Sequence, residues 1–179
     1  MVTNLVDAIR TNLGYPPLEK VDPNSQEIKG AKKMSSKLKL PQAAIPAVLA
    51  GMIKYSDGPD GVNLLTVNEN KNWLETFYSG KEKEVIKKVA DYAGVSVDEA
   101  ERNMEDISNE AVRVVKDTIK NPDAEKLRSY MNSQRHTILS HLPAVLKMGD
   151  TLNEETFDDR TNKMEGPIST FLHKIENRI

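Results

Sequence analysis

Apolar residues recur along most of this chain at steps of three and four, never in strict alternation, a pattern that predicts helices and no sheet. Leu5, Ile9 and Leu13 share one helical face, and Gly14 with Pro16-Pro17 stops that segment. Asp22 or Asn24 can cap a second helix, with Pro23 in its first turn and an apolar stripe of Ile28, Ala31, Met34 and Leu38. A third helix is expected from about Pro41. It is apolar on nearly every side, through Ala43, Ala44, Ile45, Val48, Leu49, Met52 and Ile53. A helix without a polar face belongs in the middle of a core, so this segment is the expected hub.

The run Ser56-Asp57-Gly58-Pro59-Asp60-Gly61 is turn chemistry and the clearest break in the first half. A short aromatic helix follows, with Trp73, Leu74, Phe77 and Tyr78 at turn spacing. Ser79 and Glu82 have capping-box spacing ahead of Val85, Ile86, Val89, Ala90 and Ala93. Ser96 and Glu99 repeat it ahead of a heptad-like seam of Val97, Ala100, Met104, Ile107, Ala111 and Val114, too short for an extended coiled coil. Asn121-Pro122 begins a helix with stripe Leu127, Met131, Ile138, Leu142 and Val145, which Pro143 should kink or split. Thr151 and Glu154 make a third candidate capping box, before Phe157 and Met164. Pro167 opens a last amphipathic helix with Ile168, Phe171, Leu172, Ile175 and Ile179. The expectation is one all-α domain over 1–179, divisible at most into 1–57 and 62–179. It holds about nine or ten helices, as stacked hairpins or an irregular bundle.

Two internal echoes bear on that architecture. Lys32 to Leu38 running into Pro41-Gln42-Ala43-Ala44 parallels Lys87 to Ala93 running into Val97-Asp98-Glu99-Ala100. The pentapeptide Ile45-Pro46-Ala47-Val48-Leu49 returns as Leu142-Pro143-Ala144-Val145-Leu146. True repeats would mean stacked helical hairpins. The helix followed by Ala93-Gly94-Val95-Ser96-Val97-Asp98-Glu99-Ala100 and a long apolar helix, together with Ile45-Pro46-Ala47-Val48-Leu49-Ala50-Gly51, resembles the YidB-like bacterial family of unknown function. The resemblance covers about residues 1 to 120 by organisation. The chain departs from it in being more charged and less glycine-rich, with Arg102, Glu105 and Glu110 breaking the seam helix. It implies a helical, non-catalytic bacterial protein and carries over no catalytic residues.

Composition narrows the chemistry. Without cysteine, disulfides, thiolate metal sites and cysteine nucleophiles are excluded. The first residues have no basic start and no apolar run of signal-peptide length. The most apolar window, Ala43 to Ile53, is about half of the ~20 residues a membrane span needs. A cytoplasmic, non-membrane protein is the expectation. With 25 Lys+Arg against 27 Asp+Glu, the net charge of −2 gives no global reason to seek nucleic acid.

The candidate reactive groups are sparse. His136 and His141 are five apart, not the three or four that puts two imidazoles on one helical face, and His173 stands alone. No Glu precedes a His by three, so the di-iron bundle element is missing, as are nucleophile-elbow, Walker and dinucleotide patterns. Asp57 and Asp60 flank a turn that lacks the remaining EF-hand ligands. Glu154, Glu155, Asp158 and Asp159 form a denser acidic cluster that could hold a hard cation. No cofactor is expected.

Charge is nonetheless segregated. Between Glu27 and Asp57 there is no acid, while Lys29, Lys32, Lys33, Lys37, Lys39 and Lys54 are present. On a helix, Lys29, Lys33 and Lys37 would share a face for an anion or a partner. The seam helix carries Asp98, Glu99, Glu101, Glu105, Asp106 and Glu110 against Arg102, and Glu101, Glu105 and Asp106 are its candidate acidic partner face. The two faces are expected to meet, within the fold or between copies, so the partner is another protein or a second copy. The functional expectation is a structural or interaction module. The alternatives are a binding protein for an apolar or anionic small ligand where Pro46 and Pro143 break helices, and an enzyme using the acidic cluster and a histidine.

Overall fold

The computed structural model describes residues 3–67 and 71–158, and these form eight α-helices with no β-strand among them. They are α1 (Leu5–Asn12), α2 (Ser36–Asp57), α3 (Asn63–Thr66), α4 (Trp73–Tyr78), α5 (Glu82–Ala93), α6 (Val97–Thr118), α7 (Ala124–His141) and α8 (Met148–Leu152). Short 3-10 turns lie at Ala31–Lys33, Ala144–Leu146 and Glu155–Phe157. The all-α expectation holds, with eight helices in place of nine or ten. The expected helix from Pro167 lies outside the described residues.

The hub is α2, which packs against α1, α4, α5, α6, α7 and α8. Every residue from Leu40 to Ile53 is buried, as an apolar-all-round segment requires. The helix begins at Ser36, five residues before the expected start, and runs unbroken through Pro41 and Pro46. Packing on all sides outweighs the ladder donor that each proline removes. Gly51 admits the Tyr78 ring: a Cβ there would stand 2.8 Å from the Tyr78 Cζ. The Tyr78 hydroxyl, fully buried, donates to the Ala47 carbonyl. Apolar side chains on both sides of the Ser56–Gly61 turn join one core, from Leu5 to Phe157.

The expected second helix does not form. Gln26 and Gly30 adopt left-handed φ values of 56° and 75°, which a helix cannot contain. Asp22 accepts from the Asn24 amide, turning the chain, and Val21 and Ile28 meet in an isolated antiparallel bridge. The turn-forming Asp22-Pro23-Asn24-Ser25 outweighed an apolar stripe of only four residues.

The seam of α6 is buried at Ala100, Met104, Ile107, Ala111 and Val114, whereas Val97 is half exposed. Of the three expected capping boxes, only Ser96 caps: its hydroxyl accepts from the Glu99 amide at 3.2 Å. Ser79 is left-handed and closes α4, so it cannot open α5. Thr151 lies inside α8, which the left-handed Lys147 and Asn153 bound.

Candidate functional site

Among the described residues five polar side chains are buried: Gln42, Ser56, Ser108, Gln134 and Thr151. Each has hydrogen-bond partners, as buried polar groups require. The Gln42 carboxamide donates to the carbonyls of Glu19 (3.0 Å) and His141 (2.9 Å) and accepts from the Glu19 amide (2.8 Å). It thereby ties the loop before α2 to the last turn of α7. Gln134 accepts from the Leu5 amide at 2.9 Å, serving a donor that the start of α1 leaves without an intrahelical partner. Thr151 accepts from Lys88 Nζ (2.7 Å) and donates to Glu84 (2.9 Å), fastening α8 to α5. These staples were missed from sequence; the signal was one glutamine in the otherwise apolar Pro41–Ile53 run.

The described acids of the cluster, Glu154, Glu155 and Asp158, do not converge. Glu154 is held by Lys54 at 3.1 Å and Arg135 at 2.9 Å. Burial pushes its carboxyl up, but hydrogen bonds from Thr156, Lys54 and Arg135 outweigh this and hold it below the ordinary carboxylate range. Asp158 accepts from the Asp150 amide at 3.0 Å. Asp159 lies outside the described residues. Among the described residues no group of three or more His, Asp or Glu is placed to hold a metal ion. His136 is exposed, and His141 Nδ1 lies 2.8 Å from the Thr137 carbonyl, which places the proton on that nitrogen. His173 lies outside the described residues.

The lysine face is altered, because no α-helix spans 29–37. Lys29 follows the bridge, Lys33 closes a 3-10 turn and Lys37 sits in the first turn of α2, all exposed. On α6, Glu101 and Glu105 stand one turn apart, within about 40° of each other, while Asp106 lies about 100° further round. Asp106 faces the Tyr15 side: the Tyr15 hydroxyl donates to Asn103 at 2.8 Å, and burial, then the nearby Asp106 carboxylate, pushes that phenol up. The three acids are therefore not one stripe. No ion pair joins the lysines of 29–39 to the acids of α6 among the described residues.

A shallow cleft of about 270 Å³ lies between α4 and α6, lined by Lys71, Asn72, Trp73, Glu105, Ser108 and Asn109. Lys71 Nζ stands 5.2 Å from the Trp73 ring centroid. Asn72 caps α4 by accepting from the Glu75 amide at 3.0 Å, and Ser108 donates to the Glu105 carbonyl at 2.8 Å. The trace of this cleft in the sequence is the polar Ser108-Asn109 within the seam helix. It lies at neither Pro46 nor Pro143.

No family model, curated protein or solved structure matches this chain. No helix among the described residues is long and apolar enough to cross a membrane.

Proposed function

We propose that this chain is a non-catalytic helical interaction module of a bacterial cytoplasm, of the kind the YidB-like resemblance implies. The observation that carries the reading is the use of the buried polar side chains: Gln42, Gln134 and Thr151 each bridge segments far apart in the chain. Groups kept for reaction are commonly held at a cost to stability, so that removing them stabilises the fold; scaffold groups do the opposite. Gln42→Leu, which strands three backbone groups, and Thr151→Val should each lower stability by about 1–3 kcal/mol in urea unfolding. A rise in the midpoint for either variant would overturn the reading.

A second reading rests on the cleft at Trp73. The anionic-ligand alternative, expected at Pro46 and Pro143, would move here to Lys71 as the cation and Asn109 as a carboxamide donor, with the Glu105 carboxylate on the same wall opposing it. Trp73 is the only tryptophan in the chain, so all tryptophan fluorescence comes from a residue that lines this cleft. Small carboxylates should change it saturably, and Lys71→Met should abolish the change. A flat titration rejects this reading.

A further inference from the structure

The lysine run at 29–39 violates a rule that the other long helices obey. A helix N-terminus carries partial positive charge and favours acids in its first turn. The helices α1, α5, α6 and α7 supply them, as Asp7, Glu82 and Glu84, Asp98 and Glu99, and Glu125. In α2 the first turn has no acid and carries Lys37 and Lys39, and Ser35 ahead of it makes no side-chain cap. Lys29, Lys32 and Lys33 lie just upstream and exposed. Helix dipole and side-chain charge thus add in the same sense, and no carboxylate answers them by an ion pair among the described residues. The run lacks arginine, and its nearby residues offer few rings for bases to stack on, which disfavours nucleic acid.

The complementary surface is on the same molecule. Near the start of α6, Asp98, Glu101 and Glu105 occupy one side of the helix and likewise lack ion-pair partners among the described residues. The starts of α2 and α6 are neighbours: a Cβ on Gly94, just before α6, would lie 3.5 Å from Ser36 Oγ. Two patches of opposite sign at one end of a molecule have a natural closed solution. A two-fold axis sets each copy's lysines against the other's acids and satisfies both contacts at once.

Resting on the interaction-module reading, we infer that the partner of this surface is a second copy of the chain, in a two-fold dimer that pairs Lys32, Lys33 and Lys37 with Glu101 and Glu105. Sedimentation equilibrium should find a monomer–dimer equilibrium at about 10 mM ionic strength that weakens about tenfold or more towards about 1 M, where the screening length falls from ~30 to ~3 Å. The variants K32E/K33E/K37E and E101K/E105K should each be monomeric at low salt with wild-type circular dichroism, and a 1:1 mixture of the two should restore the dimer. The mixture keeps the test sharp even if one reversal perturbs its helix. A wild-type monomer under every condition overturns the self-partner while leaving the stability test of the module reading intact. A dimer indifferent to salt and to both reversals overturns this surface as the interface.

Discussion

Ile45-Pro46-Ala47-Val48-Leu49 and Leu142-Pro143-Ala144-Val145-Leu146 are nearly the same five residues in two different structures. The first lies in the middle of α2, all of it buried. The second ends α7 and turns through Ala144–Leu146 as a 3-10 helix, with Val145 68% exposed. The flanks decide between them. After Leu49 the chain continues Ala50-Gly51-Met52-Ile53, small and apolar, with Gly51 making room for the Tyr78 ring. After Leu146 come Lys147, which goes left-handed at φ 46°, and Gly149, which lies against Asp158. Ahead of Pro143, Leu142 is extended at φ −78°, ψ 117°, the conformation a following proline favours. The His141 carbonyl, which a continued helix would have used, accepts from Gln42 instead. The same proline is therefore absorbed where packing surrounds it and terminates the helix where packing is one-sided.

The sharpest way to break this comparison is to place one charge at equivalent positions. Val48→Asp buries a carboxylate where nothing can pair it, and should cost more than about 4 kcal/mol or prevent folding. Val145→Asp, at an exposed site, should stay within about 0.5 kcal/mol of the wild type in the same urea titration. Equal losses would mean that the two segments share an environment after all. Gly51→Ala comes next: its methyl meets the Tyr78 ring and the Phe77 Cβ, and overpacking of this kind costs about 1–3 kcal/mol. Tyr78→Phe is smaller still. It removes one buried hydroxyl from the Ala47 carbonyl, a loss of about 1 kcal/mol. If Tyr78→Phe costs as much as Gly51→Ala, the hydrogen bond contributes as much as ring placement to holding α2 through Pro46.

The comparison also separates what was legible in the sequence from what was not. Periodicity is a property of one element's own face, so the hub at Ala43–Ile53, the α6 seam and the Ser96 cap could all be read directly. Turn chemistry competing with weak periodicity could not be ranked: Asp22 to Ser25 and Gly30 broke the expected helix despite Ile28, Ala31, Met34 and Leu38. Capping-box spacing failed twice for a related reason. Ser79 closes the preceding α4 and Thr151 is drawn across to Lys88 and Glu84 on α5, and neither neighbour is visible in four consecutive letters. At the candidate sites, charge segregation was legible as a count, but the face geometry of Lys29, Lys33 and Lys37 depended on a helix that does not exist. The cleft at Trp73 joins residues more than thirty apart, which no local pattern encodes.

The smallest effect concerns how the second of the two segments is tied down. The segment from Leu142 to Asp158 is fastened in part by partly exposed ionic contacts, chiefly Glu154 with Lys54 and Arg135, whereas Ile45–Leu49 is held by burial and the Tyr78 hydrogen bond, with no ion pair. Of these two segments, acid should therefore loosen the later one and not the earlier. Glu154 has its carboxyl pKa lowered in the folded state by Thr156, Lys54 and Arg135, against the opposing effect of burial. A depressed folded-state value means that the stabilisation is complete above the ordinary carboxyl value of 4.5 and disappears as pH falls through the lower folded one. Because the pair is partly solvated, the whole effect should not exceed about 1 kcal/mol. Glu154→Gln should lose that amount at pH 7 and little at pH 3, so the two stability curves converge in acid. Amide exchange should locate the change, with Leu146 to Phe157 losing protection and Ile45 to Leu49 keeping it. Parallel curves, or exchange that rises equally in both segments, would show that the ionic tie at Glu154 is not what distinguishes them.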